Sequence, residues 1–176
     1  MTVTFRKATE KDIDAIANIY DKIHKAEKKG TLTVGWEEGV YPVRKTAVDS
    51  LAKGELYTAE ADGRTVGSAI FNHFQPQGYD RVKWQYEYDD EKILVMHTLT
   101  VDPDYGKMGI GSKFTQFYEE YAKENGCLAL RIDTQVKNDA ARKMYKKLGF
   151  REVGVTDVSF NGIPSVHLVL LEKNVR

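Results

Sequence analysis

Apolar residues recur along this chain with two periods, and the places where one period gives way to the other outline its elements. Val3 and Phe5 alternate with Thr4 and Arg6, which predicts a short first strand. Thr9 then offers an N-cap ahead of Glu10, Lys11 and Asp12. Ile13, Ile16, Ala17, Tyr20 and Ile23 follow at the spacing of one helix face, and that helix frays over residues 25–30. Residues 36–42 are irregular and aromatic, and Pro42 blocks their continuation as a helix. A second helix is expected from Val43 to Lys53, with Gly54 just past its end. Glu55 to Ala61 and Thr65 to Phe74 read as strands joined at Asp62-Gly63, a hairpin dipeptide. Residues 75–91 are polar and carry Tyr79, Trp84, Tyr86 and Tyr88. They are expected to form an exposed loop, although their mix of aromatics and acids would suit an amine.

Ile93 to Val101 is an apolar run interrupted by His97 and two threonines, and is the expected central strand. A turn with glycines at 106, 109 and 111 follows, then an amphipathic helix from about Gly111 to Asn125 with Phe114, Phe117, Tyr118 and Tyr121 on its apolar side. Leu128 to Thr134 is a further strand. Asn138 is a candidate N-cap for a short helix carrying Ala141, Met144, Tyr145 and Leu148, closed by Gly149. Phe150 to Phe160 and Ile163 to Leu171 complete a hairpin across Asn161-Gly162. The order β α α β β β α β α β β predicts a single α/β domain over residues 1–176. Its sheet should have about seven strands of mixed direction, with helices on both faces.

Composition narrows the function. The chain has 176 residues with 26 Lys plus Arg against 26 Asp plus Glu, so the excess positive charge of a nucleic-acid binder is missing. Met1 to Tyr20 carry many charges and no apolar core of a signal peptide, and no run is long enough to cross a membrane. A cytoplasmic protein is therefore expected. Cys127, the single cysteine, sits in an apolar run and reads as buried. No metal ion is expected.

The candidate chemistry lies in the 106–112 turn. Glycines there leave backbone N–H groups unobstructed, and the dipole of the following helix points its positive end at the same place. The result is a cradle for a phosphate or pyrophosphate. The spacing Gly106-x-x-Gly109-x-Gly111 is neither the G-x-G-x-x-G of dinucleotide-binding folds nor a Walker A loop. Asp133 falls near the offset of a ribose-binding acid, but mid-strand and not at a strand end.

The turn is joined by a second segment, Asn138-Asp139-Ala140-Ala141-Arg142-Lys143-Met144-Tyr145-Lys146-Lys147-Leu148-Gly149-Phe150. With both in view the chain resembles the GCN5-related N-acetyltransferase (GNAT) superfamily in element order from Val3 to Leu171. The closing pattern N-x-x-A-x-x-x-Y-x-x-x-G-F is matched at Asn138, Ala141, Tyr145, Gly149 and Phe150. The resemblance implies a mostly antiparallel seven-stranded sheet whose central strands splay apart. It implies acetyl-CoA as the donor and direct transfer of the acetyl group to a primary amine. Gly106, Lys107, Met108, Gly109, Ile110, Gly111 and Ser112 would then hold the pyrophosphate. Leu99, Thr100 and Val101 would line the pantetheine arm, and Asn138, Ala141 and Tyr145 would complete the cofactor site.

Tyr145 matches the general acid of that family, with a tyrosine merely packed on the sheet as the alternative. His97 resembles the histidine of arylalkylamine N-acetyltransferases and is the candidate base, with Glu87, Asp90 and Glu91 as alternatives. Tyr20, His24, Trp36, Tyr41 and Glu87 are candidate contacts for the acceptor, which is read as a small-molecule amine. A protein N-terminus or lysine, or a catalytically silent acetyl-CoA-binding module, are the competing readings. The oligomeric state stays open between monomer and homodimer, dimers being common in the family. One departure stands out. The family turn usually begins with Gln or Arg, and here that position is Gly106, with Lys107 and Met108 following. A lost charged hydrogen bond there would weaken cofactor binding by about 1–2 kcal/mol.

Overall fold

In the computed structural model, which describes residues 2–175, seven strands form one sheet. They are β1 (Val3–Lys7), β2 (Leu56–Ala61), β3 (Arg64–Asn72), β4 (Ile93–Val101), β5 (Ala129–Gln135), β6 (Arg151–Phe160) and β7 (Ile163–Asn174). Their order across the sheet is β1-β2-β3-β4-β5-β7-β6. Only β4 and β5 run parallel; every other neighbouring pair is antiparallel. Four helices complete the fold: α1 (Ile13–Lys28), α2 (Arg44–Ala52), α3 (Ile110–Glu124) and α4 (Asp139–Lys147). The order of elements is the one the hydrophobic pattern predicts. Both hairpin dipeptides adopt left-handed backbone angles at their two positions, with φ of 50° and 75° at Asp62 and Gly63 and 52° and 80° at Asn161 and Gly162.

The period of two decides which face each strand residue buries. Leu94 and Met96 of β4 join Leu130 and Ile132 of β5 in a core with Phe114 and Tyr118 of α3 and Tyr145 of α4. The intervening Ile93, Val95 and Ala129 face the other way, into a cluster with Leu168, Leu170, Tyr79 and Trp84. Helices α1 and α2 cover that second face further along, packing Ile16, Tyr20 and Ala47 on Leu56 and Ile70. Tyr118 ties the middle of the sheet together, its Oη donating to the carbonyls of Leu94 (2.6 Å) and Arg131 (3.2 Å). Cys127 is a buried free thiol. Among the described residues, no helix is long and apolar enough to cross a membrane.

Two expectations are corrected. The last strand runs three residues beyond Leu171, because Lys173 and Asn174 continue the ladder with β5. The 75–91 segment is not an exposed loop. Tyr79 and Trp84 are buried, and polar groups of the sheet clamp the chain between them. Arg131 stacks on the Trp84 ring at 4.0 Å and donates to the Tyr86 carbonyl, while buried Glu172 accepts from the backbone N–H groups of Gln85 and Tyr86. A polar sequence became a packed segment because it satisfies charges that the sheet buries.

Candidate active site

The ladder between β4 and β5 runs from Ile93↔Ala129 to Met96↔Ile132 and stops. From His97 onward β4 stays with β3, and from Asp133 onward β5 stays with β7, so the two strands part. A bulge drives the separation on the β4 side. Thr98 and Leu99 together face one residue of β3, and Thr98 adopts a left-handed backbone with φ of 52°. A β-branched residue is strained there by roughly 1–3 kcal/mol. Its hydroxyl is hydrogen-bonded to the Tyr41 hydroxyl, which holds the bulge from above.

One edge of the opening is the glycine turn. Asp102 Oδ1 accepts from the Asp104 N–H at 2.9 Å, and Lys22 of α1 pairs with Asp102 (2.8 Å) and Asp104 (2.6 Å), fastening the turn to that helix. Lys107 and Gly109 both take left-handed angles, with φ of 63° and 76°, and α3 starts at Ile110. Among the described residues, no backbone carbonyl accepts from the N–H groups of residues 107–112. Six donors at one helix start, with the dipole behind them, suit an anionic ligand. Ile110 offers backbone only, since its side chain is in the core. Gly111 packs closely against α4: a Cβ there would lie 3.1 Å from Met144 Sδ, and the methionine would have to shift by a few tenths of an ångström.

Helix α4 forms the opposite wall. The Asn138 side chain caps it, accepting from the Ala141 N–H at 3.2 Å. Tyr145 is buried, with its ring edge-on to Phe150 at 5.7 Å. Burial, and behind it the charge of Asp133, raises the pKa of its hydroxyl well above the usual tyrosine value, so it is protonated at neutral pH.

A cavity of about 790 Å³ passes between the splayed strands. Gly111, Val101, Asn138, Ala141, Met144 and Tyr145 line it toward the turn, and Trp36, Tyr41, His97, Asp133 and Phe160 line its other end. The 31–41 strap covers that end. Glu27 accepts from the N–H groups of Val34 (2.6 Å) and Gly35 (2.9 Å), and the Gln135 side chain donates to the Gly35 carbonyl. His97 lies deep in the cavity wall, and desolvation lowers its pKa to about 4, so the imidazole is neutral at physiological pH. Asp133 receives the Tyr79 hydroxyl at 2.9 Å on Oδ2, and burial raises its pKa to about 6.

The structure thus brings together His97, Leu99, Thr100, Val101, Gly111, Asn138, Ala141, Tyr145, Trp36 and Tyr41 around one space. Gly106 to Ile110 and Ser112 make the turn beside it. Three expected acceptor contacts fall elsewhere. Tyr20 is packed into the α1 core, and His24 is buried with its Nε2 2.9 Å from the Pro42 carbonyl oxygen, because both lie on the apolar face of α1. Glu87 is exposed on the clamped 75–91 segment, beside Arg151 and away from the cavity. Asp90 and Glu91 are exposed as well, with Asp90 engaged by the Gln75 side chain, and neither lines the cavity. Asp133 is the residue the sequence reading passed over. Its signal was the one acid in β5, directly after the buried Ile132.

A splayed, mixed sheet with a glycine-rich helix start at the mouth of the splay defines an acyltransferase-like α/β class. The acetyltransferase (GNAT) family model matches residues 14–150, and the chain belongs to that family. It is 26% identical over 157 residues to an uncharacterized N-acetyltransferase of Methanocaldococcus jannaschii, a match covering 86% of this chain and 62% of that protein's length. In fold it is similar to a GNAT-family acetyltransferase from Streptococcus agalactiae, with a TM-score of 0.81, 23% identity and coverage of 98% and 95% of the two chains. It is also similar to a Salmonella typhimurium protein solved with its cofactor acetyl-CoA, with a TM-score of 0.69, 17% identity and coverage of 100% and 95%.

Proposed function

We propose that this protein transfers the acetyl group of acetyl-CoA directly to a primary amine of a small-molecule acceptor. The observation that carries the reading is the cavity that runs from the α3 start at Gly111, beside the unpaired N–H groups of the turn, through the splay to an aromatic-lined end. The residues fit the donor. The 107–112 N–H groups would hold its pyrophosphate, the free edge of β4 at Leu99, Thr100 and Val101 would receive the amide-bearing arm, and Asn138 and Ala141 would flank it. Bound acetyl-CoA supplies an acyl carbon joined to a good leaving group.

The chain's own groups supply the rest. The Leu99 N–H, at the β4 bulge, would donate to the acyl oxygen as charge grows there. Tyr145, kept protonated by burial, would donate its hydroxyl proton to the departing sulfur, and its oxygen would then take back the proton that the acetylated nitrogen loses. His97 presents a neutral imidazole to the acceptor. A proton would climb about 8 kcal/mol in passing from an alkylammonium near 10 to a group near 4, so His97 suits a hydrogen bond to the free amine better than full proton uptake. Trp36 and Tyr41 of the strap region and Phe160 and Ile163 of the last hairpin line the acceptor end, which favours an apolar small molecule.

Release of free CoA, followed over a panel of small amines and short peptides, tests the proposal. Release with small amines supports it. Turnover restricted to peptides, or none with any acceptor, overturns it.

A further inference from the structure

Asp133 is an unusual group to find where it is. It follows Ile132, the last β5 residue paired with β4, and so stands at the fork of the splay. It opens into the acceptor end of the cavity and is otherwise enclosed by protein. Among the described residues, its one hydrogen-bond partner is the Tyr79 hydroxyl on Oδ2, and no lysine, arginine or histidine pairs with it. Oδ1 is left without a donor. A carboxylate this enclosed normally has a cation or several donors around it. The charged groups that line the cavity, Asp49, Lys53, Glu55, Lys137 and Asp139, do not engage it. A positive charge arriving from the cavity would supply such a partner.

The walls around this point say what carries that charge. Trp36, Tyr41, Phe160, Ile163, Val166 and Leu168 are aromatic or aliphatic. Trp36 and Tyr41 meet edge to face, with centroids 6.3 Å apart, forming an apolar corner. Tyr79 is held by its own packing on Trp84, whose Nε1 donates to the Tyr79 carbonyl at 2.8 Å, so the hydroxyl that steadies Asp133 is itself fixed.

We propose that Asp133, steadied by Tyr79, is the seat of the acceptor's ammonium group, and that the acceptor is a primary amine on an apolar body about the size of an aromatic ring. This deepens the acetyltransferase reading and rests on it. Asp133 sits at the fork, so an amine seated on Oδ1 is delivered beside the free edge of β4. Tyr79 acts here as a positioning residue.

The test is ligand binding, read by calorimetry near pH 7 with phenethylamine and its neutral isostere 2-phenylethanol. The wild-type protein should prefer phenethylamine by about 10- to 100-fold, the range expected of a charge-assisted hydrogen bond. Asp133→Asn should reduce that preference to within about twofold while acetyl-CoA affinity is unchanged, and Asp133→Glu should restore part of it. No preference in the wild type, or a preference that survives Asp133→Asn, overturns the proposal. Should Asp133→Asn fail to fold, Asp133→Ser with the same two ligands reads the same quantity. Acetylation of amines that proceeds unaltered in Asp133→Asn would overturn this seat and spare the proposed reaction. An ammonium preference erased by Asp133→Asn, with no CoA released on any amine, would overturn the reaction and spare the seat.

Discussion

His97 Nε2 lies 2.7 Å from Asn72 Oδ1, and the direction of that bond is fixed by what else Asn72 touches. The same Oδ1 accepts from the Phe74 N–H at 3.0 Å, and Nδ2 donates to Glu55 Oε2 at 3.0 Å, so the amide cannot be reversed without losing both. Nε2 of His97 must therefore carry the hydrogen, and the lone pair of the neutral ring is on Nδ1. Glu55 and Asn72 set the tautomer of a ring in the cavity wall. Replacing Asn72 with Leu should lower kcat by about tenfold and leave acetyl-CoA affinity within twofold, as expected when an orienting partner is lost. Steady-state kinetics beside calorimetry with acetyl-CoA would show it, and an unaltered kcat would remove His97 from the reaction.

Tyr145→Phe keeps the ring against Phe150 and deletes only the hydroxyl. Loss of a proton donor to the leaving sulfur should reduce kcat by about 100-fold with little change in stability or acetyl-CoA affinity. An unchanged rate would make Tyr145 a packing residue.

Asp133 and His97 should pull stability in opposite directions over overlapping pH ranges. Asp133 has a folded pKa near 6, above its unfolded value of 3.8, so its protonated form favours the fold below about pH 4 and that support is lost as pH rises through 6. His97 has a folded pKa near 4, below its unfolded 6.5, so its contribution is present above pH 6.5 and is lost as pH falls toward 4. Asp133→Asn should therefore stabilise the protein at pH 8 by about 1–3 kcal/mol and give little at pH 4. His97→Gln should flatten the loss between pH 6.5 and 4. Thermal melts across pH would check both, and an Asp133→Asn gain that is the same at pH 4 and pH 8 would refute the first.

Gly106 is the weak point of the turn, and its geometry invites repair. Its φ of −58° and ψ of 150° suit any residue, and a Cβ would meet only the Pro103 carbonyl oxygen, at 3.1 Å. Gly106→Gln should tighten acetyl-CoA binding by about 5- to 10-fold if the side chain adds one hydrogen bond to a charged group. Weaker binding on titration would show that the backbone there cannot give the few tenths of an ångström required.

The hairpins, the glycine turn and the Asn138 cap were legible because each is written in a few adjacent residues with strict backbone demands. Asp62-Gly63 and Asn161-Gly162 fold as their dipeptides require. What the sequence hid depends on residues far apart. Trp84 and Tyr79 look like loop aromatics until Arg131 and Glu172 of the sheet supply their polar neighbours. Asp133 looked like a misplaced ribose acid. Only the register of β5 with β4 puts it at the fork, and only Tyr79, 54 residues away, shows what holds it. Tyr20 and His24 share the spacing of the apolar α1 positions, so their burial was encoded in the pattern that placed Ile16 and Ile23.

Helix α1 holds the turn through Lys22 and the strap through Glu27, five residues and about 7 Å apart along its axis. One helix thus touches the elements at both ends of the cavity. A substitution that displaces α1 would be felt at the glycine turn and at the strap together.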